Sequence, residues 1–321
     1  MPPPPRAESL PRDRFIAKFR SLRTQTYSET TARASASSIR TIAWNPLGTL
    51  IATGATDRSI RIWNPEKPQV KNSTELKGHI GSVERVAWHP RRDAELASVG
   101  ADGTLKIWDV RSKAAVGEVK LGGDGLTLAW MPEGEEMLVG TKQDVLKRVD
   151  RRTMNVLAEH PQNIQTNQAC FSNSGKEVFL TTGEGQIKIM DYPGFEPLLS
   201  LSAHTSAALS VSISPMGTWV AVGGSDALLT LWDTWEWCCQ HALSNMIGPV
   251  RSVSFSFDGT YIVGGSDEGT GLEIAHTETG EYIYKIETAY PAPYVQWHPN
   301  RYVLAHSGDA SGLKIVGAMD K

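Results

Sequence analysis

A short pattern, aromatic-x-Pro-x-Gly in its fullest form, recurs seven times along the chain, and nothing else constrains the fold as strongly. Its copies are anchored at Trp44, Trp88, Trp130, Phe171, Ile213, Phe255 and Trp297, at spacings of 44, 42, 41, 42, 42 and 42 residues. Nineteen residues after six of these anchors stands a second apolar residue: Trp63, Val149, Met190, Trp232, Ile274 and Val316. The second copy places it at Trp108, twenty residues on, because Arg91-Arg92-Asp93 lengthens its turn. A chain of 321 residues would by length suggest about two domains, at ~150 residues each, unless one repeating architecture uses it all. Seven copies with so little drift select the repeating architecture.

Within a copy the pattern has period two. Ser82-Val83-Glu84-Arg85-Val86-Ala87-Trp88 alternates, a Pro-containing turn ends it, Leu96-Ala97-Ser98-Val99 follows, and Asp102-Gly103 turns into Leu105-Lys106-Ile107-Trp108-Asp109. A period of ~40–45 residues carrying Gly-His and Trp-Asp dipeptides marks a four-stranded propeller blade. With Gly78-His79 and Trp108-Asp109 as its clearest copy, the stretch from 38 to 321 resembles the WD-repeat family. The expected fold is an all-β, seven-bladed WD-repeat β-propeller over residues 25–321, preceded by a basic extension over 1–24.

That family joins a His, a Ser or Thr, an Asp and the Trp of one blade in a buried polar network. The second copy matches in full with His79, Ser98, Asp102 and Trp108. The fifth keeps His204, Asp226 and Trp232 but has Val222 at the hydroxyl position. The first keeps Thr53, Asp57 and Trp63, with Ser35 where the His belongs. The other four copies lack most of the network and are expected to be apolar or more mobile there, since a half-satisfied buried network is costly. These ten residues read as structural, not catalytic.

Closure follows from the ends of the pattern. The third strand of the last copy ends near Val316, leaving too few residues for a fourth. The segment from Gln25 to Ala32 lies where other copies carry a fourth strand, so this N-terminal strand is expected to close the seventh blade and remove both sheet edges. Before it, Phe15, Ile16, Phe19 and Leu22 fall on one helical face among Arg12, Arg14, Lys18, Arg20 and Arg23. This short basic amphipathic helix could dock on a partner or on the propeller's own side; both remain open here. The start at Pro2–Pro5 is expected to be disordered.

Chemistry is sparse. The chain has no phosphate-binding loop, zinc-protease helix or serine-nucleophile elbow, and Gly183-Glu184-Gly185 sits between strands with no helix to present amides. No cofactor, metal or small-molecule substrate is expected, and an enzyme is not. Cys170, Cys238 and Cys239 lack metal-ligand spacing; of the adjacent pair, one is expected to be buried and one near the surface. No apolar run reaches the ~18 residues of a membrane helix, and Met1–Arg6 lacks the apolar stretch of a secretory leader, so a reduced intracellular setting is expected.

A closer resemblance then bears on function. Gly140–Val145, Met190–Pro193, Ser225–Asp233, Pro249–Ser256, Glu273–Gly280 and Val295–Pro299 are similar, in the same blades and order, to the family of third subunits of the THO complex. That resemblance implies a non-enzymatic nuclear scaffold in the transcription-export assembly, held by large helical subunits and supporting mRNA processing and export. The alternative rests on Trp108-Asp109-Val110-Arg111, which resembles substrate receptors of cullin-type ubiquitin ligases. RNA contact is expected to be indirect or weak. The net charge is −3, and residues 1–37 carry seven Arg and Lys against three Asp and Glu, so the body is acidic and only the tail attracts phosphate. Trp235, in the turn after Trp232-Asp233, is expected to be an exposed partner anchor and Trp237 to join the core.

Overall fold

The computed structural model describes residues 9–27, 38–66, 73–308 and 312–317. The expectations for Pro2–Pro5, for Ser35 and for the stretch from 28 to 32 lie outside them. Seven four-stranded antiparallel sheets form a propeller. Blades one to six span 39–76, 83–120, 125–161, 166–202, 208–243 and 250–286; blade seven has three strands between 295 and 316. Its fourth is β1 (Thr24–Tyr27), which pairs antiparallel with the last strand from Thr24 opposite Val316 to Tyr27 opposite Leu313. The N-terminal closure is therefore present, and the described strand starts one residue before the expected segment.

Burial explains the sequence pattern. The second strand of each blade is covered on both faces by neighbouring sheets, so Glu95–Gly100 and Tyr261–Ser266 are buried throughout. Outermost strands face solvent on one side and alternate, as Val156–Pro161 does. In blades one to six the innermost pair slips register near the channel, between Ile39 and Thr41 in blade one and between Val83 and Arg85 in blade two. An extra residue there bends the inner strand around the axis.

The recurring Pro-x-Gly turn has a packing cause. Gly48 has φ 72° and Gly134 φ 82°, a region open to glycine at no steric cost. A Cβ on Gly48 would stand 2.2 Å from His298 of blade seven, and one on Gly134 2.3 Å from His89 of blade two. Thus the His of Trp-His-Pro in one blade seats on the glycine of the next, and His298 Nε2 donates to the Gly48 carbonyl at 3.0 Å across the closure seam.

Helix α1 (Arg12–Ser21) lies against blades six and seven. Asp13 in its first turn and Lys18 and Arg20 in its last suit the helix dipole. Phe15 is 0% and Phe19 3% exposed, and Ile16 and Leu22 pack beside them. The Phe15 ring stacks 3.8 Å from Tyr261 and meets Tyr302 edge-on at 5.4 Å; Phe19 meets Trp297 edge-on at 5.6 Å. Tyr261 donates to the Leu10 carbonyl at 2.8 Å, and the Leu10 amide donates to Tyr302 at 3.1 Å. Of the two docking surfaces open to this helix, the structure has the propeller's own side. Phe15 and Phe19 are thereby removed from the surface a partner could touch.

Candidate protein-interaction surfaces

The polar residues singled out by the repeat do come together, inside the blades. In blade two, His79 Nδ1 lies 2.9 Å from Asp102 and His79 Nε2 2.7 Å from Ser98 Oγ, which accepts from Trp108 Nε1 at 2.8 Å. Burial pushes the His79 pKa below its usual value, with Asp102 only partly opposing. Burial also works against the Asp102 carboxylate, but the Ile80 amide, the Thr104 hydroxyl and His79 outweigh it and hold its pKa at about 2. The result is a neutral imidazole relaying between a carboxylate and a hydroxyl, sealed from solvent.

Blade five reaches the same end by another route. His204 Nδ1 lies 2.9 Å from Asp226, and Thr230 replaces the hydroxyl missing at Val222: its Oγ1 accepts from Trp232 Nε1 at 3.0 Å and lies 3.3 Å from His204 Nε2. Thr230 precedes Trp232 by two residues on one strand and so shares its face; that spacing is the sequence signal for the replacement. In blade one Trp63 Nε1 donates to Thr53 at 3.0 Å, while Asp57 pairs with Arg61 at 2.6 Å. At the corresponding positions of the remaining blades Val149, Met190, Ile274 and Val316 sit in apolar clusters.

The axial channel holds a cavity of about 550 Å³ lined by Thr41, Arg85, Gln168, Ser212, Ser254 and Gln296 among others. No carboxylate, histidine or cysteine is among its lining residues, so it offers neither a nucleophile with a base nor a metal-ligand set. Among the described residues no group of three His, Cys, Asp or Glu could hold a metal ion, and no helix is long and apolar enough to cross a membrane. Both Cys238 and Cys239 are exposed, which corrects the expectation that one is buried. Cys239 opens the outermost strand, which has a neighbour on only one side, and Cys238 lies in the connection before it.

The surface is where partners can act. Trp235 is 90% exposed, the most open large apolar side chain among the described residues. Trp237 packs partly buried on the blade-five core, 5.9 Å from the Phe179 ring. It does so from a turn position with φ 57°, not from the strand where period two would place it. Arg111, which carries the ligase-receptor resemblance, reaches Asp93 of its own blade at 3.2 Å. Exposed Arg12 of α1 pairs with Glu281 at 3.0 Å.

Comparison with known proteins agrees with this geometry. The WD domain, G-beta repeat model matches residues 26–64, 70–109, 195–233 and 237–270. THO complex subunit 3 of Arabidopsis thaliana is 33% identical over 278 residues, covering 86% of this chain and 88% of that protein. The WD repeat-containing protein AAC3 of Dictyostelium discoideum is 30% identical over 68% of this chain, spanning 51% of its own length. Among solved structures, the Cps50 (Swd1) β-propeller domain of Myceliophteria thermophila superposes with a TM-score of 0.77 over 91% of this chain and 99% of that one; at 17% identity it speaks to fold alone.

Proposed function

Since the chain belongs to the WD-repeat family of THO complex subunit 3, we propose that it is a non-enzymatic scaffold subunit of a nuclear THO-type assembly, supporting mRNA processing and export coupled to transcription. The observation that carries this reading is the 33% identity sustained over most of both chains, which a shared propeller fold alone does not require: the solved propeller above superposes well at 17%. The blade-two, blade-five and blade-one networks serve as internal braces. Function then falls to the surface, with large helical subunits as the partners and Trp235 as one anchor. RNA contact is assigned to the exposed Arg14, Arg20 and Arg23 of the tail, as a weak and salt-sensitive contribution. Affinity purification of the tagged chain tests the reading. Recovery with THO subunits in the nuclear fraction is the expected result; recovery chiefly with a ubiquitin-ligase adaptor would transfer the chain to the receptor class.

A further inference from the structure

The seven-fold repeat allows the chain to be compared with itself. Between blades six and seven a groove is filled by α1, whose Phe15 and Phe19 meet the Trp297 ring and share one buried apolar cluster with Val263 and Ile283. Counting from the blade anchors, these three positions correspond to Phe179, Leu199 and Ile213 between blades four and five. Those residues, with Ile189, Leu198 and Trp237, line an open groove of about 510 Å³. Between blades three and four the equivalent space is closed by the chain itself. There Phe195, in the repeat position of Trp237, is buried and stacks 4.1 Å from His160. Trp237 stays partly exposed, and beside it stand Trp235 and Leu198, which is 57% exposed.

From this we infer that the groove between blades four and five binds a partner's amphipathic helix, basic along its edge, that seats two large apolar side chains four residues apart as α1 seats Phe15 and Phe19. The charge follows from the rim. In the occupied groove Glu281 receives Arg12 of the helix at 3.0 Å. In the open one Glu177 is part of the lining, exposed Glu196 precedes Leu198 by two residues, and exposed Glu236 adjoins Trp237. Three glutamates against one exposed lysine, Lys176, around an apolar floor favour a cationic helix over an acidic one. The inference deepens the scaffold reading and rests on it, giving the helical partner a defined seat.

The test places photoreactive p-benzoylphenylalanine at Leu198 of the full chain in cells and maps the crosslinked peptide. The control position is Leu157, which holds the same repeat position in blade three, beside the groove that Phe195 closes. Expected is a crosslink from position 198, absent from 157, to a segment with apolar residues four apart flanked by Lys or Arg. A synthetic peptide of that segment should then bind the wild-type chain and lose at least about tenfold in affinity, ~1.4 kcal/mol, on Leu198→Lys, with the melting temperature unchanged. No crosslink at 198, a crosslink to an acidic or non-helical segment, or a peptide indifferent to Leu198→Lys overturns the groove assignment. Which protein is crosslinked answers the separate question of the THO reading: a basic helix from outside that assembly would keep the groove and discard the complex.

Discussion

Replacing Phe15 with Ala should release α1 from the propeller. The side chain is fully buried, stacked on Tyr261 and Phe19 and edge-on to Tyr302. Truncating a buried Phe costs about 3–5 kcal/mol when the surroundings hold their shape. Here they need not, because a helix this short is marginal without its docking surface. Detachment caps the loss at what docking contributes, so the low end, about 3 kcal/mol, is the expectation. For a chain longer than 250 residues each kcal/mol moves the melting temperature by roughly 2 °C, giving a fall of about 6 °C. Differential scanning fluorimetry measures that shift. Limited trypsinolysis supplies an independent readout, since Arg14, Lys18 and Arg20 are solvent-exposed but held in a helix, and cleavage there rises with the population of the open state. Ile16→Ala, at a partly buried position, should cost about 1 kcal/mol and accelerate cleavage far less. If Phe15→Ala left both the melting temperature and the cleavage rate at wild-type values, the helix would not be docked between blades six and seven, and the comparison of grooves would lose its template.

Three further outcomes follow from the same structure. Ser98→Ala leaves His79 Nε2 and Trp108 Nε1 without their shared partner in a sealed site, so stability in urea should fall by about 2–4 kcal/mol; a loss under about 1 kcal/mol would mean that the network contributes little. Burial holds the pKa of His298 and of His306 at about 4. Between an unfolded value of about 6.5 and that figure the unfolded chain takes up the protons more readily, so stability is full above pH 6.5 and declines on acidification, by roughly 2–3 kcal/mol for each group near pH 4. A melting temperature flat from pH 7 to about 4.5 would contradict this sign, and His298→Gln, which keeps a donor for the Gly48 carbonyl, should flatten the slope. Deleting residues 1–34 strips β1 from blade seven, exposes the edge carrying Leu313 and Ile315 and should open the ring; an unchanged melting temperature would refute closure by that strand.

Much of this molecule was legible because its determinants are local and repeated. The spacing of the anchors fixed the number of blades, since each blade must bury the same inner faces against its neighbours, and a shortage of one strand at the end demanded a loan from the beginning. The blade-two network could be named residue by residue because its four members fall at set distances within one copy. The substitution of Thr230 for the hydroxyl absent at Val222 was available in principle from strand period, yet it needed the Thr230 hydroxyl to be seen reaching both the His204 ring and the Trp232 indole. What the sequence left open is non-local. Whether Phe15 and Phe19 meet a partner or their own propeller depends on Tyr261, Trp297 and Tyr302, more than 240 positions away. Nor could periodicity tell that Phe195 closes one groove while Trp237, at the same repeat position, leaves the next one open. Both residues are large aromatics in equivalent left-handed turns, and the difference lies in what the adjoining blade offers: a histidine ring to stack upon in one case, and in the other a wider apolar floor that a single indole does not fill.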